Sequence, residues 1–145
     1  MKPLSTLAKI LFLVIVLFSV SGCFQYPEGP FFTVQTRDER LGGTWRLTSA
    51  SDPNGNDVMS EFANTTLTVV PSRSGDNSWS IFKDGSLISH GTYLFAQHGD
   101  QIVIAYSLLN DAQTYTQEFY DIRRLTDKYF YYVDNNSFTL HYQKY

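Results

Sequence analysis

Gly99-Asp100-Gln101-Ile102-Val103-Ile104-Ala105-Tyr106-Ser107-Leu108-Leu109-Asn110-Asp111-Ala112 is the stretch on which the fold turns. Gly99-Asp100 and Asn110-Asp111-Ala112 are turn signals, because Gly, Asn and Asp tolerate the backbone angles of tight turns. Between them Ile102, Ile104 and Tyr106 alternate with smaller or more polar residues. A period of two over eight residues predicts a strand with one face turned to a core. The segment is also too short for a stable core helix, which needs ten to twelve residues or more.

Working outward, the same grammar recurs. Strands are predicted over residues 44–49, 65–70, 78–83, 90–96, 101–108, 115–125, 129–133 and 137–144. The longest carries an expected bulge near Arg123. Asp84-Gly85 predicts a two-residue hairpin turn. In the first strand Trp45, Leu47 and Ser49 fall on one side. Residues 58–62 predict a single helical turn, with Met59 and Phe62 on one face. No link between strands is long enough for a helical crossover, so neighbours pair antiparallel. An open eight-stranded meander would expose two strand edges, and closure removes both. The expected fold is therefore all-β: an eight-stranded antiparallel up-and-down β-barrel spanning residues 41–145.

The first 40 residues read differently. Lys2 and Lys9 precede nine consecutive apolar residues, Ile10 to Phe18. A charged start, a short apolar run and small residues after it form a signal peptide. The run is too short to span a bilayer, which takes ~20 residues. Val20-Ser21-Gly22-Cys23 resembles the bacterial lipobox, whose cysteine becomes the lipidated N-terminus. That resemblance implies a signal peptide at 1–22, a lipidated Cys23 and a flexible tether to residue 40. Several acyl chains would hold the protein at the membrane, since one chain anchors only marginally. Phe24 stands where an Asp would signal inner-membrane retention, so the expected location is the cell envelope, at the outer membrane.

Without Lys2 and Lys9 the chain holds nine Lys and Arg against 14 Asp and Glu, a net charge of −5. Nucleic-acid binding calls for a basic face, so no nucleic-acid partner is expected. Cys23 is the only cysteine, which leaves no disulfide within the barrel. Except for Phe12 and Phe18, all 23 aromatic residues follow Cys23.

Several short motifs in order carry a family resemblance. Leu41-Gly42-Gly43-Thr44-Trp45-Arg46-Leu47 resembles the Gly-x-Trp start of lipocalins and other calycins. Asp84-Gly85, Gly91-Thr92-Tyr93, Gly99-Asp100, Ile122-Arg123-Arg124-Leu125-Thr126 and Tyr142-Gln143-Lys144 are similar to the pattern of lipocalin-like bacterial lipoproteins frequent in Bacteroidetes. The resemblance implies a lipocalin-like barrel with Gly43 and Trp45 at its floor. Two features depart from it. Classical lipocalins place an Arg late in the chain over the Trp, whereas the last strand here carries only Lys144. No counterpart of their long outer helix is read in residues 41–145.

Trp79, Tyr93, Phe95, Tyr106, Phe130 and Tyr132 are the candidate lining of an apolar ligand cavity. Such cavities are mostly apolar with a few polar groups. Phe82, Phe119 and Phe138 belong to the same aromatic set. Glu118, Asp121, Arg123 and Arg124 share one strand and are read as an outward charged face rather than an inner polar cluster. His90, His98 and His141 lack metal-ligand spacing, so no metal site and no cofactor are expected. No catalytic motif is read, and no enzyme is expected. Two functions remain. One is a membrane-anchored module holding a small apolar or amphipathic ligand. The other is a filled barrel acting as an interaction, inhibitor or accessory module for an envelope protein. Cys23→Ser is expected to release the protein from the membrane fraction, as followed by immunoblot of fractionated cells.

Overall fold

The computed structural model describes residues 34–96, 98–108 and 111–145. The expected signal peptide, Cys23 and residues 24–33 of the expected tether lie outside the described residues. A short helix, α1 (Arg37–Leu41), leads into eight strands: β1 (Gly43–Ser51), β2 (Thr65–Val70), β3 (Ser78–Lys83), β4 (Ser86–Phe95), β5 (Gln101–Leu108), β6 (Asp111–Leu125), β7 (Tyr129–Val133) and β8 (Thr139–Lys144). A 3₁₀ turn (Met59–Phe62) interrupts the β1–β2 link. Each strand pairs antiparallel with its neighbours in sequence, and β1 pairs with β8, so the barrel is closed. Closure leaves no free sheet edge, as the short links require.

Helix α1 begins with a capping box. The Glu39 amide donates to Thr36 Oγ1 at 3.2 Å, and the Thr36 amide donates to Glu39 Oε2 at 2.7 Å. This satisfies two amides that a five-residue helix would otherwise leave unpaired. The helix covers one end of the barrel. Arg40 is buried, and its Nη1 donates to the Leu125 carbonyl at 3.0 Å. Tyr93 donates its hydroxyl to Asp38 at 2.9 Å. Residues 36–40, assigned from sequence to the tether, are therefore packed against the barrel. The polar look of Thr36-Arg37-Asp38-Glu39-Arg40 reflects capping and carbonyl contacts rather than a solvated linker.

Two bulges decide which side chains face inward. In β1 the pairing to β8 shifts between Leu47 and Ser49. An extra residue there reverses the alternation. Trp45 and Leu47 point inward as expected, but Ser49 is exposed and Ala50 takes the inner position. In β6 the pairing shifts between Ile122 and Arg124, where the bulge was expected. Strict alternation would turn Arg124 into the core; the bulge turns in Leu125 instead, fully buried. The Arg124 guanidinium lies 5.2 Å from the Tyr129 ring and 5.6 Å from the Tyr131 ring. Asp84 and Gly85 both have positive φ, 51° and 78°, as the hairpin turn demands. Gly91 is needed for close approach: a Cβ there would overlap the Ala105 carbonyl and Tyr106 on β5.

At the covered end, Trp45 is fully buried and its indole N–H donates to the Leu41 carbonyl at 2.7 Å. Its ring meets Phe130 at 5.8 Å. The Lys144 ammonium sits 4.7 Å from the Trp45 ring centroid and donates to the carbonyls of Arg40 and Gly42 at 2.8 and 2.6 Å. Burial lowers its pKa from the usual lysine value. Lys144 thus caps the tryptophan from the last strand. Gly43 has φ +133°, open only to glycine in practice, and a Cβ there would press on the Lys144 stem. Trp45→Ala is expected to cost about 3–5 kcal/mol of stability, as for other large core aromatics, and urea unfolding would measure it; an unchanged midpoint would contradict this account of the floor.

Candidate functional site

The covered end holds α1 and the β2–β3, β4–β5 and β6–β7 turns. The other end carries the β1–β2, β3–β4, β5–β6 and β7–β8 links. Inside, two layers differ in chemistry. The lower layer is aromatic. Trp79 packs on Tyr93, Tyr120 and Phe130 with centroids 6.4, 6.1 and 6.3 Å apart. Phe95 meets Tyr93 edge-on at 6.0 Å. Edge-to-face and tilted pairs at these separations are favourable.

The upper layer is built on β5, β6, β7 and β8. On β6, Glu118, Tyr120 and Ile122 alternate onto the inner face, and Glu118 stands opposite Ile104 of β5. Tyr106 donates its hydroxyl to Glu118 Oε1 at 2.9 Å, and Tyr120 donates to Oε2 at 2.5 Å. Tyr120 stacks on Tyr132 at 4.5 Å and 7°. Tyr132 in turn lies nearly parallel to Tyr142 at 5.9 Å. A half-buried carboxylate is thereby held by two phenols within a stack of rings. Burial, then the bond to Glu118, pushes the Tyr106 hydroxyl up to about 12. Burial likewise lifts Tyr142 to about 12 and raises Tyr120 and Tyr132 further. At the β7–β8 turn burial raises the Asp134 carboxyl, opposed by amide bonds from Phe138 and Asn136, with the Glu118 charge adding to the rise.

Two buried donors in this interior have no partner among the described residues: Trp79 Nε1 and Ser89 Oγ. Their residues are 1% and 2% exposed. Trp79 lies opposite Gly91, and Ser89 is the next inward position on β4. Buried polar groups normally find partners; these two find none among the described residues.

Above the barrel, Val58, Met59 and Phe62 of the β1–β2 link pack against the core. Phe62 meets Phe138 at 5.9 Å. Pairing between β1 and β2 stops at Arg46 and Thr66. Beyond that point a groove of about 540 Å³ opens in the wall, reaching the buried Leu47 and Thr65 beneath Met59.

The six candidate lining residues all face the interior, but they divide between the layers. Trp79, Tyr93, Phe95 and Phe130 make the lower aromatic packing, and Tyr93 also ties α1 to the barrel. Tyr106 and Tyr132 belong to the upper polar layer. Phe119, grouped with them from sequence, points outward and is 48% exposed. The charged strand needs correction too. Asp121 and Arg123 face outward as read, Asp121 accepting from Gln101 Nε2 at 2.7 Å. Glu118 faces inward. Its alternation with Tyr120 and Ile122 was the available signal, outweighed by its charged neighbours across the bulge. Ser89 and Tyr120 were not singled out, and Tyr142 was read only within the terminal Tyr142-Gln143-Lys144 motif, not as an interior residue.

No protein-family model matches the chain, and no curated protein matches it. Among solved structures it is similar to a lipocalin-like protein from Bacteroides uniformis, with a TM-score of 0.50 and 16% identity over 73% of this chain and 99% of that one. The fold is lipocalin-like. A redesigned β-barrel matches at TM-score 0.48 and 12% identity, covering 79% of this chain and 99% of that one. A protein from Burkholderia xenovorans matches at 0.45 and 13%, covering 79% and 94%.

The lipocalin-like barrel is expected to lose stability in alkali. Tyr106 and Tyr142 hold their protons more tightly folded than unfolded, so their contribution is complete below the ordinary value of 10 and lost as pH rises towards about 12. Thermal unfolding across that window, with tyrosinate absorbance, would check this; Tyr106→Phe should flatten the fall.

Proposed function

We propose that this is a non-catalytic, lipid-anchored envelope protein whose lipocalin-like barrel holds a small amphipathic molecule. The observation that carries the reading is the upper interior: a carboxylate held by Tyr106 and Tyr120, and on β4 the buried Ser89 hydroxyl without a partner among the described residues. A barrel that served only as a filled scaffold gains nothing from such groups, since a buried polar atom without a partner costs about 1–3 kcal/mol. Eight strands enclose room for one small ligand at most, and the packed lower layer confines it to the upper half. The lipobox-like Val20-Ser21-Gly22-Cys23 supports a lipid anchor, and Phe24, where an Asp would signal inner-membrane retention, supports the outer membrane. Because α1 lies beneath the covered end, a chain tethered through Cys23 would turn the opposite mouth away from the lipid.

One observation favours the second reading, a protein partner in the envelope. Leu94, Val103 and Phe119 stand side by side across β4, β5 and β6 on the outer face. Leu94 is 57% and Phe119 48% exposed. An apolar row of this kind can mark a docking surface.

Native mass spectrometry of the protein purified from its own host separates the two. The expected result is a small-molecule adduct of constant mass, lost on mild activation. A bare chain together with a stoichiometric protein partner would favour the second reading instead.

A further inference from the structure

The interior carboxylate has a chemistry that selects among amphipathic ligands. Glu118 is the charged side chain of the upper layer, and its partners among the described residues are phenols rather than a cation. A carboxylate has about four lone-pair sites, of which the two tyrosines take one on each oxygen. The tyrosine oxygens, having donated their protons to Glu118, present lone pairs of their own. Charge in the links around the mouth is mostly of the same sign, with Lys83 at the end of β3 as the exception, its ammonium donating to the Glu61 carbonyl at 3.1 Å. The links at residues 52–64, 84–85, 109–110 and 134–138 contain Asp52, Asp57, Glu61, Asp84 and Asp134 and no Lys or Arg. These loop carboxylates are engaged in turns, as where Asp52 accepts from the amides of Asn54 and Asn56 and Asp134 from those of Asn136 and Phe138. They act on a ligand through their field rather than by contact. A mouth with an excess of one sign of charge concentrates ligands of the other.

An acidic rim alone would only attract counterions. The second observation is the buried and unpartnered Ser89 hydroxyl. It faces inward one position along β4 from Gly91, which stands opposite Tyr106. Its oxygen is a further acceptor within the same interior.

We propose that the upper barrel selects small cationic amphiphiles, with an ammonium group at Glu118. The proposal rests on the ligand-binding reading above. It is tested on the full chain by isothermal titration with three probes of one length: 1-octylamine, 1-octanol and octanoate. The amine is expected to bind at least tenfold more tightly than the alcohol, with octanoate weakest. Glu118→Gln, which keeps the size of the side chain, should remove the preference for the amine; circular dichroism and thermal melting of the variant report that it is folded. Equal binding of all three probes, or a preference for the amine that survives in Glu118→Gln, would overturn charge selection and leave the ligand-binding reading standing. Failure of all three to bind would overturn both.

Discussion

The pairing of Trp45 with Lys144 is the contact on which the remainder depends. It is at once the rung that joins the first strand to the last and the arrangement that seals one end. Closure satisfies backbone groups that an eight-stranded meander would leave at two edges. The same rung places an ammonium over the indole ring and within reach of the carbonyls at the end of α1. A cation there answers both the negative end of the helix and the electron-rich ring face. Gly43, with a backbone angle closed to other residues, lets the chain turn from helix to strand beneath the lysine stem. Helix, floor and barrel closure are thus one construction.

That end is sealed by packed rings, and the carboxylate of the interior lies above them. The transition runs through Tyr120, whose ring packs on Trp79 below and whose hydroxyl reaches Glu118 above. Close approach of β4 and β5 at Gly91 brings Tyr106 within reach of the same carboxylate. The outer surface is of a different kind, with its exposed apolar row on β4, β5 and β6 and Arg124 laid over Tyr129 and Tyr131. These two surfaces correspond to the two readings of function, one internal and one external.

Much of the architecture was legible from residue order. Period-two alternation and turn residues located eight strands, and β2, β3, β5 and β7 carry the bounds expected of them. Four others begin or end elsewhere, because strand ends follow cross-strand partners rather than composition. The candidate site was legible in part. Trp79, Tyr93, Phe95, Tyr106, Phe130 and Tyr132 face inward, yet their separation into a packed layer and a polar layer depends on their heights in the barrel. Glu118 was misjudged because charge is a local property and facing is not.

The sequence by itself determined the all-β class, the antiparallel order and the bulge at Arg123, because these follow from periodicity, link length and turn chemistry along the chain. It also carried the signal-like first 22 residues and the single cysteine after them. Only the tertiary structure decided that Thr36 to Arg40 pack under the barrel, that Lys144 caps Trp45, that Ala50 replaces Ser49 inside, and that Glu118 sits between two tyrosines. Each of these joins residues distant in sequence or depends on a bulge that reverses facing. A one-residue shift changes no composition, but it moves a side chain from solvent to core.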